Sequence, residues 1–72
     1  MMEFSDAVLT VLREEGRPLH WTVIQDLALK RGYLDPFTQP DVRKHLLQAL
    51  AALAKQELVD RVDKGVYATR SR

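Results

Sequence analysis

The chain of 72 residues contains no cysteine, so neither a disulfide framework nor a cysteine-based zinc site can supplement its core. Glycine and proline are scarce, with three of each, and no apolar run approaches the roughly 20 residues that span a bilayer. We therefore expect no membrane partner, and the absence of a visible export signal favours a cytoplasmic location. A chain this short has room for one modest core, whose stability must come from side-chain packing.

The residue patterns of enzymes are missing as well. His20 and His45 stand without metal-ligand spacing and without a carboxylate or thiol cluster beside them. There is no ordered set of serine, histidine and acid, and no glycine-rich phosphate loop. A domain this small also offers no obvious cleft for a small-molecule substrate. We predict a protein that is not an enzyme and that holds no metal and no cofactor.

Charge is present but unevenly distributed, although the net charge is only +1. Residues 1 to 36 carry four Lys/Arg and six Asp/Glu, a balance of −2, whereas residues 37 to 72 carry seven against four, a balance of +3. A basic half of this kind attracts phosphate. Asp41, Asp60 and Asp63 lie in the same half and weaken that attraction.

Helical signals occupy the first half of the chain. Ser5 is a good N-cap for a first helix over about residues 6 to 15. Thr22 is the predicted N-cap of a second helix, with Gln25 at the third helical position of a capping box and Gly32 at the end. Both segments repeat apolar residues at steps of three and four, which indicates one buried face on each helix.

The longest helical signal runs from Pro40 to about Gln56, with Thr38 or Gln39 as its cap. Proline at the start of a helix loses no intrahelical hydrogen bond, because the first N–H groups have no partner there. The apolar stripe of this third helix is formed by Val42, Leu46, Ala49, Leu50 and Leu53.

Residues 58 to 72 read as two short strands folded about Asp63, Lys64 and Gly65. An extended stretch from Leu19 to Trp21 can add a third strand. The expected architecture is therefore α+β, a winged helix-turn-helix with three helices and a small antiparallel sheet in the order α1-β1-α2-α3-β2-β3. We expect residues 4 to 69 to form one domain and residues 70 to 72 a basic tail.

The segment RPLHWTVIQDLA at residues 17 to 28 resembles the entry into helix two of HARE-HTH domains, which has a proline, an apolar residue, a histidine and an aromatic residue. The hairpin resembles the wing pattern of that family at Val59, Arg61, Val62, Gly65 and Tyr67. Members of the family occur in the delta subunit of bacterial RNA polymerase, in Asx-like chromatin proteins and beside restriction-enzyme domains. The resemblance implies a DNA-associated or transcription module, located at the nucleoid if the source is bacterial.

The polar face of the third helix supplies the first set of candidate DNA contacts. Projection about the helix axis puts Lys44, Gln48 and Lys55 roughly opposite the apolar stripe. Lys44 can reach phosphate or guanine, Gln48 can pair with adenine, and Arg43, nearer the core flank, can meet the backbone. The alternative is a solvated polar face without a partner.

The hairpin and the tail supply a second set. Lys64 at the tip, Arg61 on the approaching strand, and Arg70 and Arg72 in the tail can follow a phosphate backbone. The alternative here is that these charges keep the hairpin soluble and protect its edge.

Two functions remain open. The first is a module that binds double-stranded DNA in transcription or its regulation, with helix three in the major groove and the wing on the backbone. The alternative is a protein-interaction module that docks onto RNA polymerase or another transcription or chromatin protein through the helix-three face or through Leu47. Leu47 projects away from the centre of the stripe, so it is either such a contact or packed under a neighbouring segment. Trp21 and Tyr67 are interpreted as packing anchors.

Overall fold

Three helices and three short strands make up the chain in a computed structural model, which describes residues 1 to 70. In chain order they are α1 (Phe4–Glu15), β1 (Leu19–His20), α2 (Trp21–Lys30), α3 (Val42–Lys55), β2 (Val59–Asp63) and β3 (Val66–Thr69). The α+β class and the predicted order of the elements are confirmed. Arg72, predicted to be part of the basic tail, lies outside the described residues.

The strands form one antiparallel sheet in which β3 lies between β1 and β2. Leu19 pairs with Tyr67 and His20 pairs with Val66, so the two residues of β1 add a third strand to the hairpin. The predicted three-stranded sheet is therefore present. Trp21, predicted as the last residue of β1, is instead the first residue of α2.

The outer strand β2 is irregular near its end. It pairs regularly with β3 as far as Arg61, and the register then shifts so that Asp63 faces Val66. Val62 lies within this bulge and is 54% exposed. A bulge bends an edge strand and hinders its pairing with another chain.

The core lies between the helices and the inner face of the sheet. The predicted stripe of α3 is confirmed, since Leu46, Leu50 and Leu53 are buried and Val42 packs against them from the first turn. Within residues 1 to 70 no charged or polar residue is buried. The buried apolar residues are Ala7, Val8, Val11, Leu12, Leu19, Ile24, Ala28, Leu34, Leu46, Ala49, Leu50, Leu53 and Val59.

The first two helices are not capped as predicted. Glu3 is the N-cap of α1, and Ser5 lies inside the helix, so the predicted serine cap is wrong. His20 is the N-cap of α2, because its Nδ1 accepts a hydrogen bond from the backbone N–H of Thr22 at 3.2 Å. Thr22 is therefore a helical residue, and Gln25 lies beyond the third helical position. An imidazole nitrogen supplies the acceptor that a hydroxyl oxygen was expected to supply.

The third helix begins at Val42, with Asp41 as an N-cap whose side chain makes no capping hydrogen bond. Asp41 has a left-handed backbone, with φ of 56°. Neither Thr38 nor Gln39 caps the helix, so that prediction is wrong. The side-chain amide of Gln39 donates instead to the Met2 carbonyl oxygen at 2.8 Å. The side chain of Gln39 is therefore bonded to the N-terminal segment and does not cap the helix.

An ion-paired cluster, here called the α1–α2 clamp, consists of Glu14, Glu15, Arg31 and Tyr33. The Arg31 guanidinium donates to Glu14 at 2.9 Å and to Glu15 at 2.7 Å, and the Tyr33 hydroxyl donates to Glu14 at 2.6 Å. The hydrogen bond from Arg31 holds the pKa of Glu15 below its usual range. The hydrogen bond to Glu14 raises the pKa of Tyr33. The clamp ties the end of α1 to the end of α2.

Candidate functional site

The outward face of α3 carries the polar residues that the sequence assigned to a contact line. Lys44, Gln48 and Lys55 are all exposed, on the side of the helix opposite the buried stripe. The helix has 14 residues, which at 1.5 Å per residue gives a length of about 21 Å. Ala51 adds only a methyl group between Gln48 and Lys55, so the face is flat at its centre. A flat, polar helix face can approach another macromolecule closely.

Arg43 does not stand free at the edge of this face, because it rests on an aromatic ring. Its Cζ lies 5.4 Å from the centroid of the Trp21 ring, which is within the range of a cation–π attraction. The backbone N–H of Trp21 donates to the Gly65 carbonyl oxygen at 2.9 Å. The start of α2 thereby contacts both the first turn of α3 and the turn of the hairpin. We call His20, Trp21, Arg43 and Gly65 the junction.

Gly65 fits the junction because it has no side chain. Its φ is 71°, a left-handed backbone that other residues rarely adopt. A Cβ atom at this position would lie 2.7 Å from His20 Nε2 and 3.3 Å from Trp21 Cδ1. The imidazole is itself held, since Nδ1 lies 2.8 Å from the Thr22 hydroxyl oxygen as well as accepting the backbone N–H. The hairpin turn is therefore closely packed on the start of α2.

The cations of α3 and of the hairpin have no carboxylate partner within the described part of the chain. Arg43, Lys44, Lys55, Arg61 and Lys64 are exposed and form no ion pair with any residue from 1 to 70. We call these five the unpaired cations. Because no carboxylate of residues 1 to 70 forms an ion pair with them, their charge is available to an external anion.

Arg70 differs from the other predicted contacts. Its Nη1 lies 2.6 Å from Glu57 Oε1, and its Nε lies 3.9 Å from Asp60 Oδ1. Two carboxylates therefore face this guanidinium. An approaching phosphate would compete with them, so we expect Arg70 to contribute less to anion binding than the unpaired cations do.

The region also contains negative charge. Asp63 lies next to the hairpin tip, where its Oδ1 accepts the backbone N–H of Lys64 at 2.7 Å. Asp41 is exposed directly before α3. These carboxylates oppose the attraction of phosphate to Lys44 and Lys64, as their positions in the sequence indicate.

Phe37 is the most exposed aromatic residue, with 95% of its surface accessible. It lies in the loop between α2 and α3, on a turn held by hydrogen bonds. Its N–H donates to Asp35 Oδ1 at 2.9 Å, and the N–H of Gln39 donates to the Asp35 carbonyl oxygen at 2.7 Å. The side chain is therefore presented to solvent by an ordered turn.

Leu47 is partly buried and packs against the core cluster. This favours the packing interpretation over a free contact surface. The aromatic rings predicted as packing anchors also contact the core, and Trp21 contacts Arg43 in addition.

Sequence reasoning missed both the junction and the α1–α2 clamp. In the clamp, Arg31 lies 17 residues from Glu14, and no periodicity connects positions so far apart. At the junction, His20 and Trp21 belong to the segment that resembles the HARE-HTH entry into helix two. That resemblance was the one sequence signal that pointed to this stretch. It did not indicate Arg43 as the partner.

Neither a metal centre nor a membrane span is found in residues 1 to 70. No group of three or more His, Asp or Glu side chains there is placed to hold a metal ion. No helix in that part of the chain is both long enough and apolar enough to cross a membrane.

No family model, curated protein or solved structure matches the chain. The unpaired cations and Phe37 are therefore the features on which a function can be argued.

Proposed function

We propose that the protein is a winged helix module that binds double-stranded DNA and acts in transcription or its regulation. In this proposal α3 enters the major groove, and the β2–β3 hairpin is the wing that follows the phosphate backbone. The order of the elements supports it, as does a sheet in which β3 lies between β1 and β2. The resemblance of residues 17 to 28 and of the hairpin to HARE-HTH domains points the same way.

The observation that carries the proposal is the set of unpaired cations and its placement. They lie on the two elements that a winged helix applies to DNA, and Trp21 at the start of α2 contacts both of these elements. Lysine and arginine that neutralise phosphates release condensed counterions, which supplies most of the affinity for DNA that does not depend on sequence. A net charge of +1 does not prevent such binding when the unpaired cations lie on these two elements.

The proposed contacts divide into two kinds. Lys44 and Gln48, on the N-terminal half of α3, are assigned to the bases or to the nearest phosphates. Arg43, Lys55, Arg61 and Lys64 are assigned to phosphates, with Arg70 as a weaker contact. A major groove about 12 Å wide admits a helix of this kind.

An NMR titration with a mixed-sequence duplex at two salt concentrations tests the proposal. We expect amide shifts to concentrate at residues 41 to 48 and 63 to 66, and the affinity to fall steeply as salt rises. An absence of shifts even at low salt would refute DNA binding.

Single substitutions test the two contact surfaces. We expect Lys44→Ala and Lys64→Ala each to reduce the slope of log affinity against log salt by about 0.9, because each removes one phosphate contact. Arg13→Ala is the matched control, since Arg13 is an exposed cation on α1 that pairs with no carboxylate of the described part of the chain. Slopes that stay unchanged in both lysine variants would reject these contacts.

Phe37 favours a second candidate function, in which the domain docks onto RNA polymerase or another transcription or chromatin protein. A nearly fully exposed aromatic side chain on an ordered turn has the form of an interface anchor, because it offers a large apolar area and the backbone of the turn is already ordered. A photo-crosslinking residue at position 37 is expected to capture such a partner. The complex should be weakened by Phe37→Ala and not by Lys44→Ala. Equal weakening by both variants would count against this candidate.

A further inference from the structure

Trp21 contacts Arg43 and Gly65 in addition to the core. Its ring is half-buried and packs against the core, and it lies under the guanidinium of Arg43. Its backbone N–H is bonded to the Gly65 carbonyl oxygen. One residue thereby contacts the two elements that carry the unpaired cations.

We propose that Trp21 is a positioning residue for DNA binding, which holds Arg43 and the hairpin turn in one geometry for neighbouring phosphates. The inference rests on the proposed DNA-binding function. It assigns no direct DNA contact to Trp21. The indole ring acts on Arg43, whereas the bond to Gly65 is made by the backbone N–H and is kept when the side chain is substituted.

The chemistry of the contact suits this role. A carboxylate that held Arg43 would cancel its charge and occupy its N–H donors, as Glu14 and Glu15 do for Arg31. The face of an indole ring attracts a guanidinium through its quadrupole, carries no net charge and takes up no N–H donor in the guanidinium plane. Arg43 is thus restrained while its charge and its donors remain available to a phosphate.

The expected size of the effect follows from the strength of the contact. A cation–π attraction at an exposed site corresponds to a factor of about two to five in an equilibrium constant. Loss of the indole should therefore weaken DNA binding by about two- to fivefold, because Arg43 must then be ordered on binding. The phosphate that Arg43 neutralises would still be neutralised, so the salt slope should stay the same.

A double-mutant cycle in DNA affinity tests the inference. The wild type, Trp21→Leu, Arg43→Ala and the double variant are titrated with a mixed-sequence duplex at several salt concentrations, and Trp21→Phe serves as the conservative variant. We expect Trp21→Leu to weaken binding without changing the salt slope, and Arg43→Ala to weaken binding and lower the slope by about 0.9. The double variant should bind no more weakly than Arg43→Ala. Trp21→Phe should retain most of the affinity, because it keeps an aromatic face.

Three results would overturn the inference. If Trp21→Leu weakens binding by the same factor with and without Arg43, its role is structural. If Trp21→Leu binds as tightly as the wild type, it has no role in binding. Both results leave the proposed function intact, since the wild type binds in each case. If the wild type itself does not bind the duplex at low salt, the proposed function fails and the inference falls with it.

Fluorescence provides a second measurement should Trp21→Leu fail to fold. Trp21 is the only tryptophan in the chain, so its emission reports on the junction alone. We expect binding of the duplex to shift the tryptophan emission of the wild type. In the Arg43→Ala variant, saturated with the same duplex, the shift should be much smaller. Arg13→Ala, which removes an exposed cation from α1, outside the proposed contacts, should respond like the wild type. Equal shifts in the wild type and in Arg43→Ala would contradict a coupling between Trp21 and Arg43.

Discussion

Arg31 and Arg43 differ in the chemistry of the side chains that they contact, which are carboxylates for Arg31 and an aromatic ring for Arg43. In the α1–α2 clamp, Arg31 donates to Glu14 and Glu15, and its charge is neutralised within the protein. At the junction, Arg43 lies on the ring of Trp21 and forms no ion pair with any residue from 1 to 70. The first arginine connects two helices, whereas the second keeps its charge available. The partner of each arginine, rather than its mere presence, therefore decides whether its charge is neutralised within the protein or stays available to an external anion.

Glycine substitutions at the junction and next to the α1–α2 clamp are expected to show the largest difference in lost stability. Gly65→Ala should destabilise the fold by about 2 to 3 kcal/mol, because it combines left-handed backbone strain with a close approach to the His20 ring. Gly16→Ala is the matched control next to the clamp. It has a similar φ of 65° and nothing within 4 Å of the added Cβ, so it should cost only about 1 kcal/mol. Urea unfolding followed by circular dichroism measures both, and equal losses would show that the junction is not closely packed.

Arginine substitutions are expected to act on different properties. Arg31→Ala should lower the unfolding midpoint and leave DNA affinity almost unchanged, because it breaks the clamp. Arg43→Ala should weaken DNA binding by several-fold and lower the salt slope, with a smaller change in the unfolding midpoint. Thermal unfolding and duplex titration of both variants provide the measurement. If the two substitutions lowered the midpoint and the affinity to the same extent, the contrast between the arginines would be wrong.

A fall in pH should weaken the α1–α2 clamp, and we expect this to change stability less than the substitutions above do. The pKa of Glu15 is lower in the folded than in the unfolded chain, mainly because of the hydrogen bond from Arg31. Its contribution to stability is therefore complete above the unfolded-state pKa and is lost as the pH falls through the folded-state pKa. Between about pH 6 and pH 3, the wild type should lose more stability than Glu15→Gln. Parallel pH profiles of the two proteins would show that the ion pair contributes nothing measurable, as is common for exposed pairs.

Much of the fold was predictable because the patterns are local. The apolar stripe of α3 repeats at steps of three and four, and Leu46, Leu50 and Leu53 are buried as that period requires. The hairpin was predictable from apolar strand residues on either side of a glycine that tolerates a left-handed backbone. The helix starts were less predictable, since Gln39 is bonded to the N-terminal segment and His20 takes the place expected for Thr22.

The candidate site was only partly predictable. Lys44, Gln48 and Lys55 were placed on the exposed face of α3 by helix geometry alone, and the structure has them there. The ion pairs of Arg70 with Glu57 and Asp60 were not foreseen, because they depend on how the end of β3 meets β2 and the segment before it.

The order of apolar and polar residues along the chain was sufficient for the three helices, the hairpin and the exposed face of α3, because each depends on neighbours only a few residues away. That order was not sufficient to tell which charged side chains form ion pairs within the protein and which do not. Arg31, Arg43 and Arg70 have the same side chain, and folding brings two of them to carboxylates and the third to an indole ring. Those partners are distant in sequence, so packing of the helices and the sheet determines which arginines are neutralised within the protein and which keeps its charge available.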